Sequence, residues 1–172
     1  MNMPSSGSTR SPLYFGKYPG KVVSNTDDEK RGRLQVSFTV GQQEITDWAL
    51  PATPYAGETV GFFALPPNQA SVWIEFAAGD ASKPIWTGCF WEKGQIAAAD
   101  AVPELMFLKT KGGTIRIHES DGITIERGNI SITLTDSEIT ITAPQVTSDA
   151  NGNKVQLSAS GYDVLQGAMK VT

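Results

Sequence analysis

The single histidine, His118, sits in Ile117-His118-Glu119-Ser120-Asp121, which brings an imidazole, a hydroxyl and a carboxylate into one short stretch. A nucleophilic triad needs those groups to converge from separate elements, and a run this local cannot arrange that. Copies of His118 around an axis could hold a metal or an anion. Strand alternation argues otherwise: if Ile115 and Ile117 point inward, His118 points out, and a surface histidine is expected. Asp27-Asp28-Glu29 offers carboxylates without the spaced ligands of a calcium loop, so a solvated turn before Lys30-Arg31 is expected. Asp136 and Glu138 fall on one face of a strand among threonines, where solvation is expected rather than acid–base work. Cys89 lies in an apolar run, and a buried, inert thiol is expected. Trp73, Trp86 and Trp91 could stack bases, as barrels that bind single strands do. No basic groove accompanies them, so barrel core or a subunit interface is the expected place. No catalytic set, metal site or cofactor site emerges, and the chain is expected not to be an enzyme.

Charge and composition narrow the classes further. The 172 residues carry 14 Lys+Arg against 18 Asp+Glu, and 40% are hydrophobic. That balance describes a globular chain rather than a disordered one. Residues 14–93 hold 7 basic and 9 acidic groups, and residues 94–172 hold 6 and 9. Neither half is basic, which argues against a nucleic-acid partner. One cysteine allows no intrachain disulfide. No apolar run reaches the ~20 residues of a membrane helix. The N-terminus has no hydrophobic signal region, so synthesis in a host cytoplasm without a signal peptide is expected.

The elements that position these groups read as all-β. Residues 1–12 are rich in Ser, Gly and Pro and are expected to be a flexible arm. Residues 13–94 contain strand candidates at 14–25, 33–40, 58–65, 72–76 and 85–91, separated by turn residues. Strands so dense, without amphipathic helices, fit a small closed barrel. A linker over 95–108, with Ala97-Ala98-Ala99 inside it, is too short for a stable helix.

Residues 109–172 change character. Short alternating runs recur: Thr114-Ile115-Arg116-Ile117, Gly122-Ile123-Thr124-Ile125, Ile130-Ser131-Ile132-Thr133-Leu134, Ile139-Thr140-Ile141 and Val155-Gln156-Leu157. Period-2 alternation means one buried and one wet face per strand. Each run is too short to stand alone, so neighbouring rungs or neighbouring chains must complete the core. The apolar pairs are too sparse for a single-chain β-helix. A homotrimer is therefore expected, its core built from Ile115, Ile117, Ile123, Ile125, Ile130, Ile132, Leu134, Ile139, Ile141, Val155 and Leu157.

Three stretches carry a resemblance. The first is Gly32-Arg-Leu-Gln-Val-Ser-Phe38, the second Trp48-Ala-Leu50. The third is Val72-Trp-Ile-Glu-Phe-Ala-Ala-Gly-Asp80 followed by Pro84-Ile-Trp-Thr-Gly88. In this order, within residues 18–91, they resemble the OB-fold domain of phage baseplate spike proteins. That family comprises the baseplate assembly protein V group, cell-puncturing devices of contractile tails, and the valine-glycine repeat spike of type VI secretion. The resemblance implies a five-stranded OB-fold barrel followed by an intertwined triple-stranded β-helix or β-prism. It also implies a place in a virion tail baseplate or an equivalent extracellular contractile particle. The implied partners are two further copies of the chain, a baseplate hub protein and, transiently, the target cell envelope. Some members place a lysozyme domain between barrel and needle, where this chain has only residues 95–104. Some end in a His-x-His pair that binds iron, whereas this chain has only His118. A metal-free shaft finished by a separate tip protein is the corresponding expectation.

Function therefore divides three ways. A structural spike fits the whole chain. An OB-fold module binding oligosaccharide or nucleic acid, with an oligomerising β-tail, is the alternative. A peptidoglycan hydrolase would need a catalytic set that the sequence does not contain.

Overall fold

A computed structural model describes residues 12–164 and 169–171, and the chain divides into two units, Met1–Gln95 and Ile96–Thr172. Nearly all of the arm expected over residues 1–12 lies outside the described residues.

The first unit contains β1 (Tyr18–Ser24), β2 (Leu34–Val40), β3 (Gln43–Pro51), β4 (Ala56–Gly57), β5 (Val60–Gly61), β6 (Ser71–Phe76) and β7 (Pro84–Phe90). Five of these strands close a barrel in the order β1-β2-β3-β7-β6. Closure comes from a short parallel contact, Leu50 opposite Ile85 and Pro51 opposite Trp86. Alternation drives it. Along β2, Leu34, Val36, Phe38 and Val40 are buried while Gln35, Ser37 and Thr39 are not. These join Val22, Ala49, Val72, Ile74 and Phe76 in one core. The Phe38 and Phe76 rings meet at 5.4 Å inside it.

After β6 the chain makes a tight 3₁₀ turn, Ala77–Gly79. Gly79 has φ +79, and a Cβ there would lie 3.0 Å from the Phe15 ring, so only glycine fits. Tyr14 N–H donates to the Gly79 carbonyl at 2.8 Å, which ties the segment before β1 to this turn.

Several expectations need correcting here. The strand expected at 58–65 is not in the barrel: only Val60–Gly61 is strand, paired with Ala56–Gly57. The third barrel strand is β3, hidden in the sequence by its polar outward side chains. Cys89 is exposed rather than buried, because it lines a surface cavity of about 440 Å³ with Pro66, Pro67 and Trp91. The tryptophans divide: Trp86 packs against the barrel core, Trp73 stacks on Phe90 at 4.4 Å, and Trp91 is exposed. Asp27 is not a solvated turn residue, since its side chain is only 3% exposed.

The second unit begins with a strap, residues 96–104, and then forms β8 (Leu105–Lys109), β9 (Thr114–His118), β10 (Gly122–Arg127), β11 (Ile130–Leu134) and β12 (Ile139–Thr142). β8 occupies sequence expected to be linker. The five strands make one antiparallel meander, in the order β12-β11-β10-β9-β8. A second meander, β13 (Gln145–Ala150), β14 (Asn153–Ser158), β15 (Gly161–Val164) and β16 (Met169–Val171), follows in sequence order. Asp136 and Glu138 lie in the turn between β11 and β12, not on a strand. Within one chain the repeat thus forms two open sheets rather than a closed helix.

Candidate functional site

The feature that stands out is an uncovered apolar sheet face. Cross-strand register assembles it in two rows. One row runs Met106, Ile117, Ile123, Leu134, Ile139; the other runs Leu108, Ile115, Ile125, Ile132, Ile141. Ile130 extends the face beside Arg127. Alternation sends each of these side chains to the same side, and cross-strand β-branched pairs stabilise the ladder itself. None of them is buried in the single chain: Ile139 is 70% exposed and Ile132 37%.

The second sheet repeats the pattern on a smaller scale. One row runs Val146, Leu157, Tyr162, and the other Val155, Val164, Met169. Leu157, Tyr162 and Met169 are exposed, and Val155 is half-buried. The eleven residues expected in a trimer core therefore fall on two sheets, nine on the first and Val155 and Leu157 on the second.

Sequence reading missed Met106 and Leu108. They belong to Leu105-Met106-Phe107-Leu108, a continuous apolar run without period-2 contrast. Only pairing with β9 separates Met106 and Leu108 from Phe107. Tyr162, Val164 and Met169 were missed because the alternations they belong to, Tyr162-Asp163-Val164 and Met169-Lys170-Val171, span three residues each.

The opposite face of the first sheet is polar and partly covered. Thr124, Thr133 and Thr140 form one row with Arg116. Asp100 of the strap accepts from Arg116 at 2.9 Å and lies 3.5 Å from Lys109. The Arg116 hydrogen bond holds the Asp100 carboxyl below its ordinary range. The two faces thus differ in kind, one held down by the strap's ion pairs and the other bare.

His118 lies on the polar side, as expected. Its Nδ1 accepts from Ser120 N–H at 3.3 Å and Asp121 N–H at 3.4 Å, while Ser120 Oγ donates to Asp121 at 2.8 Å. These contacts close the β9–β10 turn. They leave the Ser120 hydroxyl and the Asp121 carboxylate, two and three residues from the imidazole, bonded within one local turn. Among the described residues no helix is long and apolar enough to cross a membrane.

In the barrel, the stretches that carried the family resemblance have physical work. The Gly32 carbonyl accepts from Trp86 Nε1 at 3.2 Å. Arg33 stands over the Trp48 ring, 5.1 Å from its centroid. The same guanidinium donates twice to Asp27, at 3.0 and 2.8 Å. Asp27 also accepts from the backbone N–H groups of Glu29, Arg31 and Arg33. The Arg33 pair, aided by those N–H groups, holds the Asp27 carboxyl far below the usual carboxylate range. The loop between β1 and β2 is thereby organised around one carboxylate.

Residues 18–91 match the family model described as the Type VI secretion system/phage-baseplate injector OB domain. No curated protein matches the chain. The matched span begins at β1 and ends one residue past β7, so it coincides with the barrel. A barrel of this family gives the chain a role in the baseplate of a phage tail or a related injection system. Residues 18–91 are thus an OB domain of the Type VI secretion system/phage-baseplate injector family, the baseplate protein V group.

Proposed function

We propose that the chain is the central spike subunit of a contractile-tail baseplate, working as a homotrimer. Three copies bring their apolar sheet faces together around a common axis and form the shaft. The barrels meet the hub, a separate protein finishes the tip, and sheath contraction drives the shaft through the target envelope. The task calls for stiffness, and the chain supplies it without chemistry, cofactor or metal.

The bare isoleucine face carries this reading. Its two rows hold ten apolar side chains, roughly half exposed in one chain. Burying the remainder contributes about 1 kcal/mol each, or on the order of 10 kcal/mol per chain. Association costs of about 4–15 kcal/mol are then met by three such faces. A patch this large on a lone sheet is an interaction surface, and a one-layer sheet needs a second layer to make a core. Interwound copies also cover strand edges that would otherwise pair at random.

Mass measurement by light scattering tests the reading. The expected result is three times the 18.4 kDa chain mass. A monomer at micromolar concentration overturns it.

A further inference from the structure

The up-and-down order of the first sheet sorts its turns to two opposite turn edges, one at each end of the strands. One edge carries the turns after β8 and β10, residues 110–113 and 128–129. The other carries the start of β8 and the turns after β9 and β11, residues 119–121 and 135–138. Register confirms the sorting: Lys109 pairs with Thr114 and Arg127 with Ile130 at the first edge, and Leu105 pairs with His118 at the second.

Charge follows this division. The first edge presents Lys111 and Arg127, both exposed, beside Lys109, with Glu126 exposed among them and the strap's Asp100 held against Lys109. The second presents Glu104, Glu119, Asp121, Asp136 and Glu138, all exposed, and its only basic side chain is His118. One turn edge is therefore basic and the other strongly acidic. Arg127 is also the one charged side chain on the apolar face, at its basic margin.

We propose that the sheet docks onto further copies of itself edge to edge, the basic edge of one copy against the acidic edge of the next. This rests on the trimeric spike reading and specifies its interface. A head-to-tail contact between different edges is heterologous, and such a contact makes a ring when its rotation closes. A two-fold dimer that joined like edges would set carboxylates against carboxylates. The charge division thus favours cyclic closure and penalises the dimer that an apolar face alone would permit. It also fixes which way round each copy enters, a choice the isoleucines cannot make because their interaction has no direction.

The test is charge reversal on the full chain. K111E/R127E makes both edges acidic, and E119K/D136K/E138K makes the second edge net basic, three lysines against Glu104 and Asp121. Each alone is expected to raise the trimer dissociation constant about tenfold or more at low salt. The five substitutions together make the first edge acidic and the second basic, and are expected to restore wild-type assembly. All differences are expected to shrink near 1 M salt, where the screening length is about 3 Å. A wild-type trimer unchanged by either single-edge variant overturns the edge pairing and leaves the spike reading standing. So does a five-fold variant that assembles no better than the single-edge variants, provided its circular dichroism matches wild type. A monomeric wild type overturns both.

Discussion

Trp86 Nε1 donates to the carbonyl oxygen of Gly32 at 3.2 Å, joining β7 to the loop that leads into β2 across 54 positions of sequence. The bond sits beside the short parallel contact that closes the barrel, Pro51 opposite Trp86. Two of the stretches by which the family is known are thus one structural device. Replacing Trp86 with Phe keeps an aromatic ring and removes the donor. We expect barrel stability to fall by about 1–2 kcal/mol, a lost hydrogen bond plus a carbonyl left without its donor. Scanning calorimetry of the barrel transition checks this, and an unchanged transition rules the bond out as a closure element.

Asp27 makes the barrel sensitive to acid. Its carboxyl titrates far below the ordinary range in the fold, held there by Arg33. A depressed folded value means that its contribution is complete above the unfolded pKa and is lost as pH falls through the folded one. The barrel should therefore lose thermal stability progressively on the acid side of about pH 4. Asp27→Asn should lower the midpoint at neutral pH and flatten this acid-side slope. A variant as pH-dependent as wild type would assign the slope to other carboxylates.

Ile132 sits inside its row, opposite Ile125 on one side and Ile141 on the other. Ile132→Asp places three carboxylates near one axis in an apolar core. The trimer should weaken by on the order of a hundredfold or more. Sedimentation at several concentrations reads the change. A trimer of undiminished affinity would mean that this face points outward.

Gly122 opens β10 at φ +82, and a Cβ there would run into the carbonyl oxygen of Leu134. Gly122→Ala combines left-handed strain of about 1–2 kcal/mol with that collision. Hydrogen exchange in β10 and β11 should quicken while exchange in the barrel is unaffected. Uniform protection in the variant would show that the turn can move without disturbing its neighbours.

Much of this was legible before any coordinates. Leu34, Val36, Phe38 and Val40 announce β2 because every second residue is apolar and enters the core. The isoleucine pairs announce β9 to β12 by the same rule. β3 was missed because Gln43, Glu44, Thr46 and Asp47 lie outside the core and mask its few inward residues. Residues 58–65 look like a strand from composition, yet Phe62 and Phe63 are exposed on a loop. Propensity reports what a segment favours, and pairing partners decide whether it joins a sheet.

Asp27 teaches the converse. Its neighbours Asp28 and Glu29 are exposed, and composition cannot distinguish the three. Only the folded loop turns one carboxylate inward, because Arg33 and three backbone N–H groups converge there.

By itself the sequence determined the local periods, the turns and the sign of each charge, since these depend on neighbours in the chain. It therefore settled that the protein is a barrel followed by strands with one apolar side. The tertiary structure decided what depends on pairing across distance. Register merged separate isoleucine pairs into two continuous rows and brought Met106 and Leu108 into them. The alternation of turns sent the basic residues to one edge and the acidic residues to the other. No window of sequence contains either fact, because both arise only when strands lie side by side.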